Sequence, residues 1–185
     1  MKKLLILDNH SSVVGALLPL LDENDDISYH VFSGDLQSSG DYLQQLKDVD
    51  WILAAVGVKD ADLDFESLFD AIDEVAPHIS HFIMLSYAGV DDELTAPIHY
   101  RDVADPTEFI KQQRYAIKIV DESEIPYSIV RMVTLTDGPR TEYNLYNEGV
   151  KMPAGQVAAS NVADLVFDML VNQKLINRSV GIVNA

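Results

Sequence analysis

The chain has 185 residues, of which 48% are hydrophobic, and it carries 13 Lys and Arg against 30 Asp and Glu, a formal net charge of −17. This length and apolar content predict one domain, residues 1–185, with a substantial core. The lack of cysteine excludes disulfides, thiolate metal sites and a cysteine nucleophile. The acidity argues against binding to nucleic acid or to an anionic membrane, because both attract clustered Lys and Arg.

The N-terminal segment MKKLLILDNHSS reaches a polar turn too early for a signal peptide or a membrane span. We therefore expect a cytoplasmic protein. The pair in HISH, His78 and His81, has no obvious third ligand nearby, so we expect no metal site.

Apolar segments of strand length alternate with longer segments of helical periodicity, which predicts a parallel α/β sheet flanked by helices. The predicted strands are Lys3–Leu7, Ser28–Phe32, Trp51–Val56, His81–Ser86, Tyr127–Arg131 and Val180–Val183. The predicted helices are Ser12–Asp22, Ser39–Lys47, Leu63–Val75, Pro106–Glu122 and Asn161–Asn172. Ser160 precedes NVADLVFDML, and we expect it to cap the last helix, with Asp164 in the first turn.

The opening segment LILDNHSSVVG passes from an apolar strand through a polar turn into a helix, as dinucleotide-binding domains do. Polar residues replace the usual glycines of this turn: Asp8, Asn9, His10, Ser11 and Ser12. A carboxylate at Asp8, the usual first glycine position, would repel a pyrophosphate. The backbone amides of Ser11, Ser12 and Val13 would nevertheless form an anion site at the helix N-terminus. Alternatively, Asp8 or Ser11 simply caps the helix.

Four later segments occur in an order typical of one protein family: GDLQSSGDYLQQLKDVDWILAAVG, HFIMLSYAGVDDE, ESEIPYSIVRMVTLTD and AASNVADLVFDMLVN. With them the chain resembles the atypical short-chain dehydrogenases, specifically the NmrA-like and NADH-flavin-reductase-like group. The resemblance covers nearly the whole chain. It implies a doubly wound Rossmann-like fold, an NAD(P) site across the strand ends, and a redox or cofactor-sensing role.

The segment ISYHVFSGDLQ is shorter than its counterpart in that family, which has a further helix and strand before the Gly-Asp-Leu turn. We expect a shortened adenine-side edge with one strand fewer, and hence a sheet of fewer than seven strands. Asp35 follows Gly15 by 20 positions, near the distance at which an acidic residue accepts from the adenosine ribose. The resemblance instead implies that Asp35 and Leu36 lie beside the adenine. A turn residue capping the helix at Ser39 is a further alternative.

The family's Y-x-x-x-K motif falls on FIKQQ, which places Phe109 at the tyrosine position and Gln113 at the lysine position. Phenylalanine transfers no proton, and glutamine supplies no positive charge. The nearby Tyr115 and Lys118 share a helix face, and we interpret them as surface or packing residues.

Two strand ends keep features of the family. The small residues of AAVG, Ala54–Gly57, would let a ribose or adenine pass close to the backbone. LSYAG places Ser86 and Tyr87 at the next strand end, and the resemblance implies that Ser86 is the active-site serine; a serine bonded to backbone is the alternative. Met132 replaces the proline that usually follows Val-Arg in the family.

The candidate cofactor-binding residues are Asp8, Asn9, His10, Ser11, Ser12, Val13, Asp35, Leu36, Ala54, Ala55, Val56, Gly57, Ser86 and Met132, and the candidate catalytic residues are Ser86 and Tyr87.

Two functions follow from these patterns. The first is an NAD(P)-dependent oxidoreductase that transfers a hydride to an unknown small acceptor in a pocket shaped by the Gly89–Asp105 loop. The second is a non-catalytic Rossmann domain that senses a nucleotide or binds a protein partner, and a homo-oligomer is compatible with both. No Lys or Arg occurs from Leu4 to Leu46, so NAD(H) is expected over NADP(H), if a dinucleotide binds at all.

Overall fold

The computed structural model describes all residues, 1–185, and contains five helices and nine strands. The strands are β1 (Lys2–Asp8), β2 (Ile27–Val31), β3 (Trp51–Ala55), β4 (His81–Tyr87), β5 (Tyr127–Met132), β6 (Thr134–Thr136), β7 (Tyr143–Asn147), β8 (Gln156–Ala158) and β9 (Arg178–Asn184). The helices are α1 (Ser12–Asp22), α2 (Ser39–Tyr42), α3 (Ala61–Val75), α4 (Pro106–Glu122) and α5 (Ala159–Asn172).

One sheet of seven strands organises the molecule, in the order β2-β1-β3-β4-β5-β9-β7. Six strands are parallel, and β7 alone runs antiparallel, against β9. The short strands β6 and β8 form a separate parallel pair. The predicted doubly wound α/β fold is therefore confirmed.

Apolar residues on both faces of the sheet explain why its strands read as continuous hydrophobic runs. Alternate residues of β1 enter two different cores: Leu4 and Ile6 pack with residues of α1 and α5, whereas Leu5 and Leu7 pack with residues of α3 and α4. Each core buries more than 20 hydrophobic side chains, so the helices form one layer on either side of the sheet. None of the helices combines the length and the apolar character that crossing a membrane requires.

The helix boundaries follow local capping chemistry where a cap exists. Helix α1 begins after Ser11, whose Oγ accepts from the Val13 amide, and α4 begins after Asp105, whose carboxylate accepts from the amides of Thr107 and Glu108. The cap predicted at Ser160 is wrong. Strand β8 runs directly into α5, so the helix begins at Ala159 and Ser160 lies inside its first turn.

The sheet edge beside β2 is shortened as predicted, since no strand lies beyond β2 where doubly wound sheets usually have one more. The predicted total of fewer than seven strands is wrong. The polar segment YNLYN forms β7 at the opposite edge, where it pairs with β9 and brings the total to seven strands.

The predicted helix Ser39–Lys47 is also too long, because α2 ends at Tyr42 and turns follow. The side chain of Gln45 donates to the carbonyl oxygens of Ser33 and Asp41, and its Oε1 accepts from the Ser33 amide. These hydrogen bonds fasten the turn to the segment that follows β2.

His81 provides a titratable group within the core. The His81 side chain is fully buried. The Ser128 hydroxyl donates its proton to the Leu175 carbonyl, so His81 Nε2 is the donor in the 2.8 Å hydrogen bond to Ser128 Oγ. The other ring nitrogen, Nδ1, has no hydrogen-bond partner. Burial lowers the pKa of His81 from 6.5 to about 4.

The unfolded chain therefore binds more protons than the folded chain as the pH falls from 6.5 towards 4, and the free energy of unfolding should drop by about 3 kcal/mol over this range through His81 alone. Urea unfolding between pH 7 and pH 4.5 measures this loss. His81→Gln removes the titration, so its stability should decline less steeply than that of the wild type. Parallel declines for the two proteins would contradict the assignment.

Candidate functional site

Two adjoining cavities open at the carboxyl ends of the parallel strands. The first, which we call the cleft, has a volume of about 370 Å³ and lies over the ends of β1, β3, β4 and β5. The second, the side pocket, has a volume of about 410 Å³ and lies between the turn after β1, residues 34–37 and the start of α3. The strand register pairs Asp8 with Ala55 and Tyr87 with Met132, which brings these ends to one edge.

Three residues line both cavities: Asn9, His10 and Lys59. We call this point the junction. Asn9 is fixed to β3, because its amide donates to the Ala55 carbonyl at 3.2 Å and its side chain donates to the Val56 carbonyl at 3.1 Å. His10 has a left-handed backbone, with φ of 59°.

The turn after β1 uses much of its own hydrogen-bonding capacity. The Ser11 amide donates to Asp8 Oδ1 at 2.8 Å, and the Val13 amide donates to Ser11 Oγ at 3.2 Å. Ser11 therefore caps α1, and Asp8 holds the amide of this capping residue. Of the three amides expected to bind an anion, only that of Ser12 keeps its donor free of a protein acceptor.

Carboxylates dominate the side pocket. Asp8, Asp35, Asp60 and Asp64 line it, and Lys59 is the single Lys or Arg among its residues. Burial raises the pKa of Asp64 to about 6, and nearby carboxylates, Asp60 first among them, act in the same direction. Asp35 Oδ1 accepts from the Gln37 amide at 2.9 Å, so Asp35 closes a turn. Asp35 does not cap α2, because the N-cap residue of this helix is Ser38. Leu36 lies beside it in the pocket wall.

The candidate serine lies behind the cleft. Ser86 is fully buried, and its Oγ donates to Gln113 Oε1 at 2.9 Å, while Gln113 Nε2 donates to the Gly57 carbonyl at 3.4 Å. Gln113 thus connects the ends of β3 and β4 from the position where the family has lysine. The Ser86 hydroxyl donates to a side chain, so the alternative of a serine bonded to backbone is wrong.

An aromatic cluster forms one side of the cleft. Tyr87 contacts the rings of Phe109 and Tyr100, with centroids 5.1 and 6.4 Å away. The Tyr100 hydroxyl donates to the Ala88 carbonyl at 2.7 Å and lies against Gly89, whose φ of 104° and close approach leave no space for a Cβ. Burial raises the pKa of Tyr87 to about 12, so its phenol stays protonated and acts as a hydrogen-bond donor at the cleft.

A buried ion pair fixes the loop between β4 and α4, which carries Tyr100. Arg131 has no exposed side-chain surface, and its Nη1 lies 2.5 Å from Glu93 Oε1. Glu93 Oε2 accepts from the amides of Gly89 and Asp91 at 3.0 and 3.1 Å. Burial opposes ionisation, but the hydrogen bonds from its own loop and from Arg131 hold the pKa of Glu93 below its usual value.

The remaining predicted residues divide into two groups. Ser11, Ser12, Ala55, Gly57 and Met132 line the cleft with Tyr87, whereas Val13, Ala54 and Val56 are buried and line neither cavity. Tyr115 donates to Glu66 at the surface, and Lys118 pairs with Glu122 there.

Several residues that line the cleft were not among the predicted site residues, and Lys59, Tyr100 and Arg101 are three of them. Lys59 follows the AAVG strand end by two positions, and that position is the signal that could have identified it. Tyr100 and Arg101 belong to the Gly89–Asp105 loop, which the sequence predicted to shape a pocket without indicating which of its residues would do so.

The sequence profile of the NAD(P)H-binding family matches residues 20–173, and the chain belongs to this family. The predicted resemblance is thereby confirmed. The match begins beyond β1 and the turn that follows, the segment in which the glycines are replaced. No curated protein matches the chain.

Solved structures share the fold over almost the entire chain. A short-chain dehydrogenase/reductase from Veillonella parvula DSM 2008 superposes with a TM-score of 0.81 at 22% identity, covering 99% of this chain and 94% of that one. A structure from the same organism in complex with NADP gives 0.76 at 20% identity, with coverages of 99% and 94%. The anaerobillin reductase ChuY from Escherichia coli O157:H7 gives 0.79 at 17% identity, with coverages of 99% and 97%. At these identities the similarity establishes the fold alone.

Removing Glu93 should leave the Arg131 guanidinium buried without its carboxylate. We expect Glu93→Ala to lower the free energy of unfolding by about 3 to 5 kcal/mol, measured by urea denaturation at pH 7. Asp91→Ala is the control, because the Asp91 carboxylate is 3.7 Å from Arg131 and 35% exposed, and it should cost less than about 1 kcal/mol. Equal losses for the two variants would contradict the role of Glu93.

Proposed function

We propose that this protein is an oxidoreductase that uses NAD(H) and exchanges a hydride with a small acceptor bound in the cleft. The observation that carries the proposal is the pair of cavities joined at the strand ends. A dinucleotide consists of two nucleotide halves linked by a pyrophosphate, and family membership together with this bipartite site supports its placement across both cavities.

The residues present fit such a cofactor. Ala55 and Gly57 supply a small surface at the cleft floor, Met132 adds an apolar contact, and the Ser12 amide provides a donor at the start of α1. When bound, the nicotinamide supplies or accepts the hydride. The Tyr87 hydroxyl orients the acceptor by a hydrogen bond, and solvent provides the proton, since Phe109 and Gln113 replace the proton-transferring pair.

The side pocket favours NAD(H). A 2′-phosphate adds up to two negative charges, and four carboxylates with one lysine line this pocket. Two arginines from later in the chain do not change the balance there, because Arg101 lines the cleft and Arg140 pairs with Asp164.

NADH should therefore bind at least about tenfold more tightly than NADPH, a difference of roughly 1.4 kcal/mol. Titration with each cofactor, followed by nicotinamide fluorescence, measures both dissociation constants. Equal or tighter binding of NADPH would contradict the preference. Failure of both cofactors to bind at millimolar concentration would refute the proposed function itself.

The role of Tyr87 is tested with riboflavin as a probe acceptor, by following NADH oxidation at 340 nm. Tyr87→Phe should reduce kcat/KM for riboflavin by roughly fivefold to tenfold, the value of one hydrogen bond, and leave the dissociation constant for NADH unchanged. Tyr115→Phe, at the protein surface, is the matched control and should behave as the wild type. An unchanged kcat/KM in Tyr87→Phe would remove Tyr87 from the site.

A non-catalytic nucleotide sensor is the second candidate. The replacement of the Tyr-Lys pair by Phe109 and Gln113, and the closure of Ser86 onto Gln113, favour it. Tight NADH binding without oxidation by any acceptor, riboflavin included, would support the sensor over the oxidoreductase.

A further inference from the structure

This inference rests on the proposed function and concerns how the dinucleotide is held. We infer that the side chains of Lys59 and His10 bind the pyrophosphate at the junction, in place of the backbone amides of a glycine-rich turn. Four observations lead to this assignment.

The backbone of the turn offers few donors. The amides of Ser11 and Val13 donate within the turn, to Asp8 and to Ser11 Oγ, and the Asp8 carboxylate adds a negative charge beside the side pocket. A pyrophosphate carries two negative charges and needs several donors. The Ser12 amide alone does not satisfy it.

The junction lies where a pyrophosphate has to pass. A ligand with one half in the cleft and the other in the side pocket crosses from one cavity to the other beside Asn9, His10 and Lys59. The side-chain amide of Asn9 already donates to the Val56 carbonyl. One N–H of the Asn9 amide remains available, but Lys59 and His10 are the two basic side chains at the junction, and neither is held by a protein acceptor.

Lys59 is a free cation in an acidic protein. Its ammonium forms no ion pair and no hydrogen bond with the protein, although carboxylates outnumber cations 30 to 13. Lys59 lies on the segment that follows β3, and its flexible side chain is at the edge of both cavities. Lysine acts at phosphate sites as a point charge with three donors.

His10 takes a backbone conformation that glycine normally supplies. Its φ of 59° is left-handed, a region that glycine adopts freely and that residues with a Cβ seldom adopt, and His10 lines both cavities. The left-handed turn thus places a side chain with a ring N–H donor at the point where the glycine turn would present its amides.

The test compares ligands that differ in phosphate. ADP-ribose contains the pyrophosphate, whereas adenosine contains none. In Lys59→Met the dissociation constants of NADH and ADP-ribose should rise about tenfold or more, the affinity of adenosine should stay unchanged, and the salt dependence of ADP-ribose binding should become shallower. Calorimetric titration of the whole chain at several salt concentrations measures all three.

Three further variants complete the design. Lys59→Arg keeps the charge and should bind within about threefold of the wild type. His10→Asn retains a residue that tolerates left-handed backbone and should weaken ADP-ribose binding less than Lys59→Met does. Lys118→Met removes a surface lysine paired with Glu122 and should change nothing. Thermal melts confirm that each variant is folded.

The inference is overturned if Lys59→Met binds ADP-ribose as the wild type does, or if it loses adenosine affinity to the same extent. In either case wild-type binding of NADH leaves the proposed function intact. If the wild type binds neither NADH nor ADP-ribose, the proposed function and this inference fail together.

Discussion

The reversal of strand order at β1 is the constraint on which the rest of the structure depends. Strand β2 lies on one side of β1 and β3 on the other, so the connections that leave their carboxyl ends diverge and open a crevice between them. The turn after β1, the Gly34–Gln37 segment and the Gly57–Lys59 segment surround this crevice. Shortening the β2 edge does not disturb it, because the missing strand lies farther out.

Much of the fold was predictable because strong local signals agree with it. Strands β1, β3 and β4 are buried on both faces and read as apolar runs, and α1 and α4 have side-chain caps at their first turns. Strand β7 was missed because YNLYN is polar, and its partner β9 rather than its own composition makes it a strand. The long α2 was overpredicted because Gln45 forms tertiary bonds that periodicity does not show.

Only those residues of the candidate site that lie at or next to the ends of strands were predictable from the sequence. Asn9, Ser12, Gly57 and Tyr87 face the cleft as sequence position suggested. The cation at the junction was missed because adjacency in the sheet, not in the sequence, places Lys59 beside the turn: β3 pairs with β1, although nearly 50 residues separate Asn9 from Lys59. The burial of Ser86 behind the cleft was not predictable, because nothing in the sequence shows that its hydroxyl donates to Gln113.

The ion pair between Arg131 and Glu93 bears on the timescale of binding. Arg131 also donates to Ser179 Oγ and to the Tyr146 carbonyl, at 2.9 and 3.2 Å, so one guanidinium joins the β4–α4 loop to β9 and β7. Releasing that loop would expose a charge in the core, which makes an open state rare. The aromatic side of the cleft is then in place before any ligand arrives. For a ligand that enters the cleft we therefore expect a single diffusive association step, whose rate rises linearly with ligand concentration without a plateau set by loop closure.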